Sequence, residues 1–251
     1  MNKLRGAAAR LQDARVRRFP VLLASLSIVG LAARAAHGAE PPAPRGPTVA
    51  VLYFDYQGKR DDLAVLKTGL AQMLISDLGA GDSYRLVERA RLQALLDEQK
   101  LGQTGKLDGA TAARVGKLLG AQLMVLGSFF DLGPTLRVDA RLVDVETGKI
   151  LHTAGATAKN DDFLEVERQL ATDLGEALRH QAPAGSTARP SGRRPPPRPA
   201  RLKTGTAVKY SRALALVDKK DDKGARAALK DVLVEQPDFA LARTDLDRLL
   251  Q

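Results

Sequence analysis

The sequence of 251 residues contains no cysteine, no tryptophan and only three histidines. Without cysteine, neither disulfide bonds nor thiolate zinc sites can form. Aromatic residues make up 4% of the chain, whereas proteins that bind single-stranded nucleic acid typically stack the bases on aromatic side chains. These shortages exclude the cysteine-dependent classes of protein and argue against nucleic-acid binding.

The net charge of +10 is distributed unevenly along the chain. Residues 1–39 and residues 183–203 each carry a net charge of +6, while residues 40–182 carry −3 and residues 204–251 carry +1. A nucleic-acid-binding domain has its basic patch on the folded surface. Since the main domain is mildly acidic here, we predict no nucleic-acid partner.

The amino terminus has the three-part pattern of a secretory signal. Basic residues precede an uncharged run at 19–33, and the small residues of "RAAHGAE" follow it. The uncharged run is shorter than the roughly 20 residues that a membrane-spanning helix needs. We predict a signal peptide at 1–39, cleaved after Ala39 or Ala36, with an uncleaved anchor as the alternative. Either way, the rest of the chain is expected to be exported.

After a Pro-rich leader at 40–47, residues 48–182 alternate between strand and helix patterns. Strand patterns occur at 48–56, at 84–88 and from 127 to 151, with a further strand in "HTAGATAKN". Helix patterns occur at 62–78, up to 99 and at 109–120, and in a last helix whose inward residues are Phe163, Val166, Leu170, Leu174 and Leu178. This order predicts an α/β fold: a mixed sheet covered by helices, followed by a small all-α helical module.

The segment "GSFFDLGPTLRVDARLVDVETGKIL" (127–151) contains four acidic residues and invites a metal-binding or catalytic interpretation. However, Leu136, Val138, Ala140 and Leu142 alternate with Arg137, Asp139 and Arg141, as in a strand with one buried and one solvated face. The alternation slips at Leu142–Val143, which predicts a β-bulge or a twist there. We therefore interpret the acidic residues as part of a solvated strand face and of the turn "ETGK" (146–149).

Residues 183–203 form a Pro/Arg-rich linker that favours the extended polyproline II conformation. One interpretation is a simple tether. The other assigns Arg193, Arg194, Arg198 and Arg201 to contact with anionic cell-wall polymer or with lipid headgroups at the membrane surface.

Residues 204–251 are predicted to form three helices. The spacing of Ala213, Leu216, Ala225, Leu229, Val232 and Pro237 is that of a tetratricopeptide repeat. Since a single repeat buries little core, we expect the module to dock on a partner, on the main domain or on another copy. The candidate partner-binding residues are Tyr210, Leu216, Leu229 and Phe239.

No residue pattern reaches the level of a catalytic motif. The stretch "GQTGKL" (102–107) lacks the first glycine and the Ser or Thr of a P-loop. The Asp pairs at 61–62, 161–162 and 221–222 lie at helix starts or turns, where carboxylates favour the helix dipole. We predict that the protein is not an enzyme and that it has no catalytic, cofactor or metal site.

Three ordered blocks carry a family resemblance: "LVERARLQALLDEQKL" (86–101), "DGATAARVGKLLGAQLMVLGSF" (108–129) and "RLVDVETGKIL" (141–151). They resemble the curli-secretion channel protein family, which is related to the amino-terminal domain of the Tol translocation protein. The resemblance implies an α/β domain at 48–182, residence in the envelope of a Gram-negative cell, no cofactor, and a role in assembly or secretion at the outer membrane.

The chain departs from that family in two respects. The founding member is a lipoprotein, but this chain has no cysteine to acylate. The founding member also carries two long membrane hairpins, and "DLGPT" leaves no room for the first. The leading hypothesis is therefore a periplasmic or outer-membrane-peripheral protein that binds envelope proteins, with self-association as a further expectation. The alternatives are an oligomeric outer-membrane secretion pore and an exported ligand-binding protein or enzyme.

Overall fold

The computed structural model describes residues 46–79, 81, 83–101, 109–159, 162–181, 197 and 199–251. The predicted signal peptide, most of the leader and most of the linker lie outside the described residues, as does the "GQTGKL" stretch. Within the chain from Pro41 to Gln251, which forms one compact unit, the strands and helices are β1 (Thr48–Val51), β2 (Asp55–Tyr56), α1 (Leu66–Leu78), β3 (Arg85–Leu86), α2 (Arg89–Glu98), α3 (Gly109–Leu118), β4 (Leu123–Leu132), β5 (Thr135–Asp144), β6 (Ile150–Lys159), α4 (Phe163–His180), α5 (Thr204–Asp218), α6 (Asp222–Glu235) and α7 (Ala240–Leu250).

The described strands form one six-stranded mixed sheet in the order β3-β1-β4-β5-β6, with β2 also pairing with β4. Strands β3, β1 and β4 run parallel, whereas β4, β5 and β6 form antiparallel pairs. The predicted fold class, a mixed α/β sheet with helices, is confirmed, and the further strand predicted after residue 151 is β6.

The strand predicted at 48–56 is interrupted in the structure. Val51 pairs with Val125 and Asp55 pairs with Ser128, so this segment advances four residues while β4 advances three. The extra residue is a local bulge, which bends the chain between β1 and β2. Phe54 lies within this bend and is fully buried.

Two hydrophobic clusters cover opposite faces of the sheet, because successive side chains of a strand point to opposite sides. Val49 and Val51 belong to the larger cluster, with the apolar side chains of α1, α4 and β5. Ala50 and Leu52 belong to the smaller cluster, with α2 and α3. The five residues predicted to face inward on α4, from Phe163 to Leu178, are all buried.

Strands β4 and β5 are paired from one end to the other, and Leu132 faces Thr135 across a two-residue turn. Gly133 has a φ of +60°, and the ring of Pro134 holds its own φ near about −65°. Glycine at the first central position is the pattern of a type II′ hairpin turn. The connection predicted from "DLGPT" is therefore as short as a hairpin allows. The irregularity predicted at Leu142–Val143 is confirmed, because Leu142 pairs with His152 whereas Val143 pairs with Ile150. The extra residue, Leu151, lies on β6.

Helices α5, α6 and α7 pack as a small helical layer, and α5 also packs on α1 of the α/β domain. The approach is close: a Cβ atom at Gly69 of α1 would lie 2.1 Å from Oγ of Ser211. Side chains of α5–α7 belong to the same hydrophobic cluster as those of α1 and β5. The helical module was expected to dock on a partner, on the main domain or on another copy. In this structure it packs against the main domain through α5 and α1. The proposed domain boundaries at 182 and 204 stay predictions.

Candidate interaction site

The face of the sheet that carries α2 and α3 is only partly covered. Beside α3, a groove of about 440 Å³ runs across β4 and β5 and reaches the bend after β1. Its floor includes Leu126, Ser128, Asp139 and Arg141, and Gly109 and Ala113 of α3 form one wall. We call this cavity the sheet groove. Its lining combines apolar, polar and charged side chains.

Two charged residues in and beside the sheet groove, Arg137 and Asp139, form an ion pair. Arg137 Nη2 lies 2.6 Å from Asp139 Oδ1, and both side chains are about two-fifths exposed. On the opposite face of the same strand, Leu136, Val138, Ala140 and Leu142 are at most 1% exposed. The predicted alternation of a buried and a solvated strand face is confirmed.

Asp144 and Asp131, two further acidic residues of segment 127–151, have structural contacts. Asp144 Oδ1 accepts hydrogen bonds from the backbone N–H of Thr147 at 2.8 Å and from its hydroxyl at 2.7 Å. These bonds favour the charged form and lower the pKa of Asp144. The hydroxyl of Tyr56 donates to Asp131. Both carboxylates therefore hold local structure, one in the β5–β6 turn and the other between β2 and β4.

A buried polar cluster joins the helical layer to the α/β domain. Arg89 of α2 is 6% exposed, and its Nη1 donates to both carboxylate oxygens of Asp218, each at 2.7 Å. Its Nε donates to Gln72 Oε1 at 3.1 Å, and Nη1 also lies 3.2 Å from the hydroxyl of Tyr53. We call these four residues the Arg89 cluster. Burial raises the pKa values of Tyr53, to about 12, and of Asp218.

The Arg89 cluster was not predicted from the sequence. Arg89 reads as an ordinary helix-surface residue within "VERARLQ", and Asp218 as a polar residue at a helix end. The contact joins residues 129 positions apart, and no local pattern indicates which cation and carboxylate will meet at that distance. Only the packing of α5 on α1 reveals the pair.

The predicted partner-binding residues lie mainly in the core of the helical layer. Tyr210 and Leu229 are fully buried, Phe239 is 3% exposed, and Leu216 is half-buried. The Tyr210 hydroxyl donates to Asp245 Oδ2 at 2.7 Å, and its ring meets that of Phe239 edge-on with centroids 4.9 Å apart. A partner would reach the three buried side chains only if the helices separated. The predicted binding role stays a prediction.

A different part of the helical layer is accessible. Val234 is 80% exposed and borders a shallow groove of about 370 Å³ between α5 and α6. Lys209, Arg212, Asp231 and Glu235 line the same groove. We call it the helical groove. The helical groove therefore places one exposed apolar side chain among charges of both signs.

Of the four arginines predicted to contact anionic polymer or lipid, Arg193, Arg194 and Arg198 lie outside the described residues. Arg201 is described, and its side chain is 63% exposed with Nε 3.5 Å from Asp162 Oδ2. At that exposure the ion pair contributes little to stability. The anionic contact stays a prediction.

Within the ranges that the structure describes, no group of three or more His, Asp or Glu side chains is placed to hold a metal ion. His152 Nε2 lies 2.8 Å from Asp173 Oδ1, on a surface formed by β6 and α4. None of the described helices is both long enough and apolar enough to span a bilayer.

The fold and its surfaces define a mixed α/β sheet domain with an attached helical layer. The family model described as the curli production assembly/transport component CsgG matches residues 38–136. The resemblance predicted from the sequence blocks is confirmed over that part of the chain. No curated protein sequence matches this chain. The tetratricopeptide-like assignment of residues 204–251 stays a prediction.

Solved structures that match part of this chain come from several bacteria. The LpoB C-terminal domain from Salmonella enterica is 18% identical, with a TM-score of 0.38 over 47% of this chain and 86% of that chain. Lipoprotein GNA1162 from Neisseria meningitidis is 19% identical, with a TM-score of 0.33 over 45% and 80%. The PelC dodecamer from Paraburkholderia phytofirmans is 16% identical, with a TM-score of 0.35 over 55% and 91%.

Proposed function

We propose that this chain is a non-enzymatic protein of the Gram-negative cell envelope, located in the periplasm or at the periphery of the outer membrane. It acts by binding other envelope proteins during outer-membrane assembly, secretion or the biogenesis of surface appendages. The observation that carries the proposal is the match of residues 38–136 to a family described as a curli assembly and transport component.

The sheet groove is the surface that we assign to this binding. Its floor belongs to β4 and β5, which are paired along their whole length and therefore hold the exposed side chains in fixed positions. A rigid surface loses little conformational entropy when a partner binds. The groove combines an exposed guanidinium, Arg141, with the half-buried apolar Leu126 and the exposed Ile150.

The short β4–β5 turn favours this function over a secretion pore. The resemblance places a long membrane hairpin of the channel proteins at this connection, and here only Gly133 and Pro134 occupy it. The domain would accordingly contribute a binding surface and not a membrane-inserted hairpin at this position.

Affinity isolation of the tagged full chain from envelope fractions tests the proposal. Deleting residues 204–251 would expose the core between α1 and α5, so point substitutions are the better probe. We expect Arg141→Glu combined with Ile150→Asp to remove the captured envelope protein. Leu118→Asp, at an exposed position on α3, serves as the control and should capture it normally.

Two outcomes would contradict the proposal. Detergent-resistant rings in the outer-membrane fraction would support the alternative of a secretion pore. A small molecule that raises the melting temperature would support the alternative of a ligand-binding protein, since a ligand at 100 times its Kd adds about 2.7 kcal/mol to stability.

A further inference from the structure

We propose that β6 pairs antiparallel with β6 of a second copy of this chain, about a twofold axis at Gly155. The pairing would join two six-stranded sheets into one. It does not rest on the proposed function, because copies of this chain could pair whether or not they bind another envelope protein.

The first observation is the position and length of β6. Among the described strands it has a neighbour on one side only, because it is the last strand in the order β3-β1-β4-β5-β6. With ten residues it presents a much longer edge than β3, the two-residue strand at the other end of the sheet. Half of the backbone N–H and C=O groups of an edge strand point away from its single neighbour and can pair with another strand.

The second observation is the absence of the usual protection along this edge. Natural edge strands are commonly blocked by charged side chains, by proline or by a bulge in the middle of the strand. Residues 153–158 read "TAGATA", with no charge and no proline. The one irregularity in the β5–β6 pairing lies next to Ile150, at the start of the strand. The central six residues are therefore small and carry neither charge nor proline, and the pairing irregularity lies outside them.

The third observation concerns the two faces of β6. Ala154 and Ala156 are buried on the side that faces α4, while Thr153, Gly155 and Thr157 are exposed on the other side. If the twofold axis passes through a residue, exposed residues of one strand lie opposite exposed residues of its copy. If the axis passes between two residues, buried residues lie opposite exposed ones. The axis must therefore pass through a residue.

The choice of residue follows from length and charge. An axis at Ala154 or at Gly155 pairs the largest number of β6 residues. An axis at Ala154 would place Lys149 opposite Lys159, which is unfavourable because like charges directly across a strand pair repel. An axis at Gly155 places Leu151 opposite Lys159, Thr153 opposite Thr157, and Ala154 opposite Ala156. Threonine pairs directly across two strands are favourable.

Single cysteines test this register, because the chain has no cysteine of its own. In the proposed pair the two Gly155 Cα atoms lie about 4.5–5.5 Å apart, within the range that a disulfide spans. A Cβ at Gly155 would approach Arg137 Nη2 at 2.9 Å and Asp139 Oδ1 at 3.0 Å, and both of these side chains can move. We expect Gly155→Cys in the purified full chain to form a disulfide-linked dimer under mild oxidation. Glu146→Cys, in the exposed β5–β6 turn, is the matched control and should remain largely monomeric.

The same chemistry distinguishes the proposed register from random collision. Thr153 and its copy would lie about 13 Å apart, four residues along the strand direction, so Thr153→Cys alone should not cross-link. A mixture of Thr153→Cys with Thr157→Cys should cross-link. Equal cross-linking of Thr153→Cys alone and of the mixture would overturn the Gly155 register.

Sedimentation equilibrium of the unmodified chain tests the pairing without cysteine. We expect a mass that rises from one to two copies with increasing concentration. Thr153→Lys with Thr157→Lys places lysines opposite each other and should shift the dimer dissociation constant upward at least tenfold. Ala110→Lys with Leu118→Lys, on exposed positions of α3, adds the same charge elsewhere and should leave the constant unchanged.

An unmodified chain that stays monomeric at all concentrations, together with Gly155→Cys that cross-links no faster than Glu146→Cys, would overturn the proposal. Thermal melting of each variant, followed by circular dichroism, establishes that a lost dimer is not simply a lost fold.

Discussion

Arg89 Nη1 lies 2.7 Å from both carboxylate oxygens of Asp218, and this pair connects the second helix of the α/β domain to the end of the first helix of the helical layer. The two side chains are 6% and 15% exposed. Tyr53 and Gln72 add further hydrogen bonds to the same guanidinium. A buried charge with this many partners is expensive to leave unpaired, and the contact therefore fixes how the two parts of the fold are joined.

We expect Asp218→Ala to lower the free energy of unfolding by about 3–5 kcal/mol, because it leaves Arg89 buried without its carboxylate. The control is Asp62→Ala, which removes the partner of Arg60 in an ion pair whose side chains are about half exposed. Exposed pairs contribute far less to stability than buried ones, because solvent screens them. Urea denaturation of both variants measures the difference, and equal losses would show that the Arg89 cluster is not a structural connection.

A second polar contact holds the helical layer together. Tyr210 is fully buried on α5, and its hydroxyl donates to Asp245 of α7 at 2.7 Å. Tyr210→Phe keeps the ring but removes the donor from a carboxylate that is 6% exposed. We expect a loss of about 1–3 kcal/mol in unfolding free energy, the usual cost of leaving a buried polar group unsatisfied.

The matched control for Tyr210→Phe is Tyr56→Phe, since Tyr56 also donates to an aspartate, Asp131, but at a partly exposed position. Solvent can replace that hydrogen bond, so the loss should be smaller. The interpretation of Tyr210 as a core residue would be wrong if its substitution left stability unchanged and instead weakened the capture of an envelope protein.

Local periodicity was sufficient to predict most of the fold. The alternation along Leu136–Leu142 identified the buried face of β5, and the slip at Val143 located an irregularity that the register shift between β5 and β6 confirms. The inward residues of α4 were also predicted correctly, because a helix buried on one face repeats its apolar positions every three to four residues. These features depend on interactions among neighbouring residues, which a sequence displays directly.

The features that periodicity could not predict are those set by contacts between distant residues. The break between β1 and β2 depends on how the segment aligns with β4, and the Arg89–Asp218 pair depends on how α5 packs against α1. For Tyr210, Leu229 and Phe239, the apolar pattern identified helix faces but could not tell a face that meets a partner from one that meets the neighbouring helix.

Glu167 of α4 makes stability depend on pH. It is fully buried, and this burial raises its pKa from 4.5 to about 8. The folded chain therefore holds this proton more tightly than the unfolded chain does. Between these two pKa values the unfolded state has released the proton and the folded state has kept it, so this group lowers stability as pH rises.

We expect the melting temperature to fall as pH rises from 5 to 8, and we expect Glu167→Gln to remove part of that fall. The glutamine side chain has a similar shape and no charge to desolvate, so the variant should be more stable than the natural chain at pH 8. Glu176→Gln, at an exposed position on the same helix, should follow the natural pH profile. A Glu167→Gln variant whose melting temperature falls as steeply as that of the natural chain would contradict the assignment.

Gly127 of β4 marks a position where the sheet has no room for a side chain. A Cβ atom there would lie 2.1 Å from Cε1 of Phe54 and 2.6 Å from the carbonyl oxygen of Asp139. Phe54 is fully buried, and the Asp139 carbonyl belongs to the neighbouring strand, so neither can move without disturbing the core. We expect Gly127→Ala to destabilise the fold by about 1–3 kcal/mol, the usual cost of overpacking.

Gly205→Ala is the control, because a Cβ at that position of α5 meets nothing within 4 Å. Alanine there should be neutral or stabilising by up to about 1 kcal/mol, since it favours the helix. Urea denaturation of both variants measures these effects, and a Gly127→Ala variant as stable as the natural chain would show that Phe54 does not fill the space above β4.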